Sequence, residues 1–141
     1  MKKLLFSAAF ALLTTPSLAA GVTVSDAWFR ALPAGLPAGG YMVLHNPDDT
    51  DAILTAASSP ACGSIMLHQS ENMNGMSGME VAEQITVPAH GAFTFKPGGY
   101  HLMCMNPTAA MKPGAQVPVT LTFVDRSTAN ANFVVKNARG Q

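Results

Sequence analysis

The chain has 141 residues, eight basic and eight acidic side chains, and only 11% charged residues, well below the usual quarter. No basic stripe or run of like charge is present, which excludes nucleic-acid binding as a function class. No stretch beyond the N-terminal leader approaches the ~20 apolar residues of a membrane-spanning helix.

The leader, MKKLLFSAAFALLTTPSLAA, has the three-part form of a secretory signal. Lys2 and Lys3 precede an apolar run over residues 4–13, and Ser17 and Ala19 are the small residues before the expected cut. Residues 1–19 are therefore expected to be a signal peptide and residues 20–141 a single domain. With no cysteine near the cut for lipid attachment, the mature chain is expected in the periplasm without stable membrane insertion.

After the leader, no apolar period of 3.6 stands out. Short alternating runs recur instead, separated by Pro, Gly, Asn and Asp. Strands are predicted over 22–30, 40–46, 52–57, 64–69, 79–87, 92–96, 100–105, 117–124 and 132–137, with a loop over 31–39. The clearest alternation is VPVTLTFVD, where Val117, Val119, Leu121 and Phe123 share one face. About nine short strands with turn chemistry between them predict an all-β antiparallel sandwich or Greek-key barrel. The stretch QSENMNGMSGM breaks the alternation. Its Met73, Met76 and Met79 fall three apart amid Ser, Asn and Gly, and Gly75 and Gly78 predict an exposed loop that offers thioether donors.

Cys62 and Cys104 are 42 residues apart. Export permits a disulfide, but spacing alone does not bring two sulfurs within reach. Two buried thiols acting as small hydrophobes are the favoured reading.

His68, Met79, His101 and Met103 read as H-x10-M-x21-H-x-M. Two imidazoles and two thioethers make a soft, uncharged donor set, poor for zinc, magnesium or calcium and good for copper(I). If GGYHLMCMNP is a strand, His101 and Met103 emerge on one face and meet one ion. A neutral set leaves the ion's charge uncompensated and lacks a tightly held thiolate, which suits a carrier. A blue-copper electron-transfer site would need a histidine soon after Cys104, and none follows. The cysteines also lack the close spacing of a reactive dithiol, which weakens a thiol-disulfide reductase reading. No catalytic motif is recognisable, so the chain is not expected to be an enzyme. His45 and His90 lie in turn contexts as solvated surface histidines. Asp48, Asp49 and Asp51 cluster in a turn without the Gly and Glu of a calcium loop.

The chain resembles the PCu(A)C family of periplasmic copper(I) chaperones across nearly all of its mature region. The matching segments are VSDAWFR, AASSP before His68, PGGYHLMCMN around His101, and the H-x10-M-x21-H-x-M signature itself. The resemblance implies a cupredoxin-like β-sandwich holding Cu(I) near its surface through His68, Met79, His101 and Met103. It also implies delivery to the copper-site subunit of cytochrome c oxidase, with a Sco-type protein as a further partner. A copper buffer for tolerance, with no dedicated acceptor, would use the same ligands. Two departures stand out. Met76 lies three residues before Met79, where relatives often carry a Met two before. Cys104 stands where relatives usually have an aliphatic residue, and on a strand it points away from His101 and Met103. The sequence ends VVKNARGQ, without the His- and Met-rich tail of some relatives, so a second copper(II) site is not expected.

Overall fold

The computed structural model describes residues 21–73 and 76–141, without the side chains of 72, 73, 76 and 77. The expected signal peptide, residues 1–19, lies outside the described residues. Ten strands follow in order: β1 Thr23–Arg30, β2 Ala38–Asn46, β3 Ala52–Ser58, β4 Cys62–Met73, β5 Met76–Val81, β6 Ile85–Val87, β7 Gly91–Phe95, β8 Tyr100–Pro107, β9 Gln116–Phe123 and β10 Thr128–Lys136. A single 3₁₀ turn, Pro33–Gly35, interrupts the loop before β2.

The order β4-β8-β2-β1-β10-β9-β3 closes on itself, because Ala57 of β3 also pairs with Ile65 of β4. The sheet is therefore a flattened barrel of the cupredoxin-like, all-β kind. Closure leaves few open edges. All pairs are antiparallel except β1 with β10, which run parallel. Alternation drives the inward set: Phe29, Leu44, Leu54, Leu102, Leu121 and Phe133 are fully buried, each worth roughly 1.5–3 kcal/mol of transfer free energy.

Three local features bear on the site. In β1 the register shifts between Ser25 and Trp28, and Asp26 takes a positive φ of 52°. The extra residue of this bulge changes strand parity, so Val22 and Phe29 both point inward while Trp28 and Arg30 face out. The stretch expected as one strand over 79–87 is two, β5 and β6, broken at residues 82–84. The methionine stretch is not a loop. β4 runs on to Met73 and pairs with β5 down to Met73 opposite Met76, making a two-stranded arm that extends past the barrel.

Cys62 and Cys104 are joined in a disulfide, with Cα atoms 5.4 Å apart. This overturns the expectation of two free thiols. The two are not register partners, since Cys62 faces Pro107 and Cys104 faces Ile65; the course of the chain at the start of β4 brings them together, which neither spacing nor alternation encodes. Cys104 is fully buried, on the face of β8 opposite His101 and Met103.

Candidate metal centre

Strands β4 and β8 lie side by side with His68 directly opposite His101 and Met66 directly opposite Met103. Leu67 and Leu102, the residues between, are buried in the core, so alternation sends both histidines and both methionines to the outer face. The imidazoles meet edge to face, ring centroids 5.6 Å apart.

His101 is buried although it faces outward, because it is flanked by His68 and by Tyr41, whose ring centroid is 6.5 Å away. Its Nδ1–H donates to the Gly99 carbonyl at 3.1 Å. A carbonyl can only accept, so the proton sits on Nδ1 and Nε2 carries a free lone pair. That Nε2 is inaccessible to solvent and has no hydrogen-bond partner, as are both ring nitrogens of His68. A buried polar atom left unpaired costs about 1–3 kcal/mol. Two such rings side by side are what a soft cation taking imidazole nitrogen would satisfy. Burial, and then the charge His101 would carry, hold the His68 imidazole below its ordinary pKa of 6.5, so the ring is neutral near pH 7 and free to ligate.

The four residues of the signature share one face but are not equally held. Met103 is half-buried, two residues beyond His101. The residue facing it on β2 is Gly39, over which the Tyr41 hydroxyl leans, 2.7 Å from where a Cβ would sit. Met79 is on β5 opposite Ser70, two residues past His68 on the same face, and is 61% exposed. The side chains of Met73 and Met76 lie outside the described residues. Met66 was not singled out by the signature. Its place opposite Met103 emerges only from register, although the reversed triplets M-L-H and H-L-M flanking the two strands hint at it.

Among the described residues no group of three or more His, Cys, Asp or Glu side chains comes together. The carboxylates of the Asp turn are taken up locally: Asp48 accepts from the Gly21 amide, Asp51 from the Ala89 amide, and Asp49 pairs with His90 at 2.7 Å. His45 bonds the Ser25 hydroxyl. Both remaining histidines are thus engaged elsewhere. Beyond Tyr41 the outer face turns aromatic and basic, with the Trp28 ring tilted against Tyr41 at 4.7 Å between centroids and Arg30 and Lys136 over the Trp28 ring.

Residues 22–135 match the family described as "Putative lipoprotein LpqE-like". Over 121 residues the chain is 35% identical to the "Putative lipoprotein Lxx21020" of Leifsonia xyli subsp. xyli, covering 85% of this chain and 72% of that protein. Among solved structures, apo-DR1885 from Deinococcus radiodurans is 31% identical, with a TM-score of 0.64 over 100% of this chain and 96% of that one. A CuI-DR1885 structure is 29% identical, also with a TM-score of 0.64, over 84% and 78% of the two chains. The copper-bound PCuAC domain from PmoF2 is 20% identical, covers 86% and 97%, and has a TM-score of 0.69, a likeness of fold alone.

Proposed function

The chain belongs to the LpqE-like, PCuAC-type family, and on that premise we propose that it is a non-enzymatic copper(I) carrier of the periplasm. Its cargo is one Cu(I), taken by His68 and His101 with Met103 and Met79 as thioether donors. Its acceptor is the copper-site subunit of cytochrome c oxidase, reached directly or together with a Sco-type protein.

The observation that carries this reading is the cross-strand histidine pair, with three buried imidazole nitrogens lacking partners on a face that also presents thioethers. Neutral imidazole and thioether suit a d10 ion that tolerates low coordination numbers. The lack of a charged ligand at the pair keeps the ion exchangeable. The copper(I) form of DR1885 supports the same assignment, as a relative with this fold.

The test is a titration of apo-protein with copper(I) and with copper(II) against competing chelators. One equivalent of Cu(I) bound in preference to Cu(II) is expected. Preference for Cu(II), or an intense thiolate-to-copper absorption, would overturn it. Transfer from the loaded protein to a purified oxidase copper domain then separates carrier from buffer: a buffer would load normally and fail to transfer.

A further inference from the structure

The β4–β8 ladder holds a second thioether in the same geometry as the first. Met66-Leu67-His68 and His101-Leu102-Met103 are the same triplet read in opposite directions. Antiparallel pairing sets them residue against residue: Met66 with Met103, Leu67 with Leu102, His68 with His101. A local two-fold axis therefore relates the triplets. Met66 stands to His101 as Met103 stands to His68. Directly opposed side chains on one face have Cβ atoms about 4.5–5.5 Å apart and diagonal ones about 7–8 Å. Met66 is next to His68 along β4 and diagonal to His101 across the ladder. Met79, by contrast, lies on β5 opposite Ser70, with β4 between it and His101.

Packing does not account for Met66. Its backbone is central in the ladder, yet the residue is 37% exposed, and its inward neighbours Ile65 and Leu67 supply the core contacts on that stretch. From this placement we propose that Met66 is a copper(I) ligand of the chain, exchanging with Met79. The site then has two overlapping donor sets that share His68, His101 and Met103. One closes through the arm by Met79, the other wholly within the ladder by Met66. Exchange of one thioether for another moves no proton or electron. When Met79 leaves, Met66 takes its place and the ion stays four-coordinate until an acceptor donor displaces a thioether, so release proceeds stepwise. The proposal rests on the copper(I) reading above.

The test uses the full mature chain with 13C-methyl-labelled methionine, titrated anaerobically with Cu(I) and in parallel with Ag(I), a redox-inert d10 ion. The Met66 methyl signal is expected to shift within the first equivalent, more strongly in Met79→Leu than in wild type. Because the two donor sets are alternatives whose binding constants add, Cu(I) affinity is expected to fall about tenfold in Met79→Leu, less than about twofold in Met66→Leu, and at least about a hundredfold in the double variant. Both leucine replacements keep volume and lie on the surface, and thermal melting of the apo-proteins verifies the fold. A Met66 methyl that stays still in both backgrounds, with the double variant binding like Met79→Leu, would overturn the role of Met66 while leaving the carrier reading intact. A wild-type chain that shifts no methionine methyl and binds no Cu(I) would overturn both.

Discussion

The β4–β8 ladder and the β4–β5 arm present donors on the same face, yet they are built differently. The ladder is backed by Leu67 and Leu102 in the core, and its two strands are tied by the Cys62–Cys104 bond. Among the described residues the arm has one pairing: β5 bonds β4, and past Ser70 β4 has only β5 as a partner. The imidazole nitrogens are therefore fixed by the fold, whereas Met79 is fixed by one strand pairing, on an edge strand and largely exposed. A site of this kind separates affinity from release. On the proposed reading, the histidines would set where the ion binds, and the arm how readily a ligand comes off.

That contrast breaks most sharply at the histidines. His68→Ala and His101→Ala should each lower Cu(I) affinity by more than about 100-fold, above the usual loss for an outer-shell partner. Chelator competition reads the loss, and equal losses from His45→Ala and His90→Ala would misplace the site. Those two variants should change affinity less than about twofold, since an exposed pair such as His90–Asp49 contributes little.

Next comes the clamp on the ladder. Replacing both cysteines by alanine opens a 42-residue loop and should cost about 4 kcal/mol on loop-closure entropy, seen as a lower midpoint in denaturant. If the ladder is what holds the histidines, residual Cu(I) affinity should fall in step with the population that unfolds, and should recover where the variant is fully folded.

Acid gives a graded version. His68 titrates below its ordinary value of 6.5 because burial and then His101 disfavour its charge. The unfolded chain thus binds this proton more readily than the folded one, so apo-protein stability falls as pH drops from 6.5 toward the folded value and is flat above it. Cu(I) affinity should decline in the same direction, because a protonated ring has no lone pair to give. Melting temperature and chelator competition between pH 5 and 8 check both, and His68→Gln should remove this part of the stability slope.

The smallest effect is at the arm. Met79→Leu should weaken binding about tenfold while speeding transfer to an acceptor, the pattern of a donor lost on the release side. Met79→Leu that slows transfer would mean the arm guides the acceptor rather than gating the ion.

Much of this was legible in the sequence, because strand alternation is local. The His101–Met103 pair follows from period two, and eight of the nine expected strands match an observed strand in type and approximate position. What failed depends on pairing. The methionine stretch reads as a loop when Gly75 and Gly78 are weighed alone. Yet Gly78 sits in an edge strand where a Cβ would meet nothing within 4 Å, so glycine there does not end the strand. The disulfide, the parallel β1–β10 pair and the place of Met66 each need the placement of distant strands, which no local pattern encodes. The bulge at Asp26 escaped for a related reason: one extra residue changes parity without changing composition.

On the copper(I) reading, the disulfide also limits which sulfurs the ion could find. A thiolate binds this ion more strongly than a thioether or an imidazole, and a reduced Cys62, partly buried at the start of β4, would offer one. The chain has two cysteines, both committed to one bond, and no thiol besides. Its softest accessible donors are then the methionines of the outer face. In the proposed carrier, selectivity would arise by subtraction: with the strongest competitor oxidised away, weak ligands would govern the ion, and a weakly governed ion can be handed on.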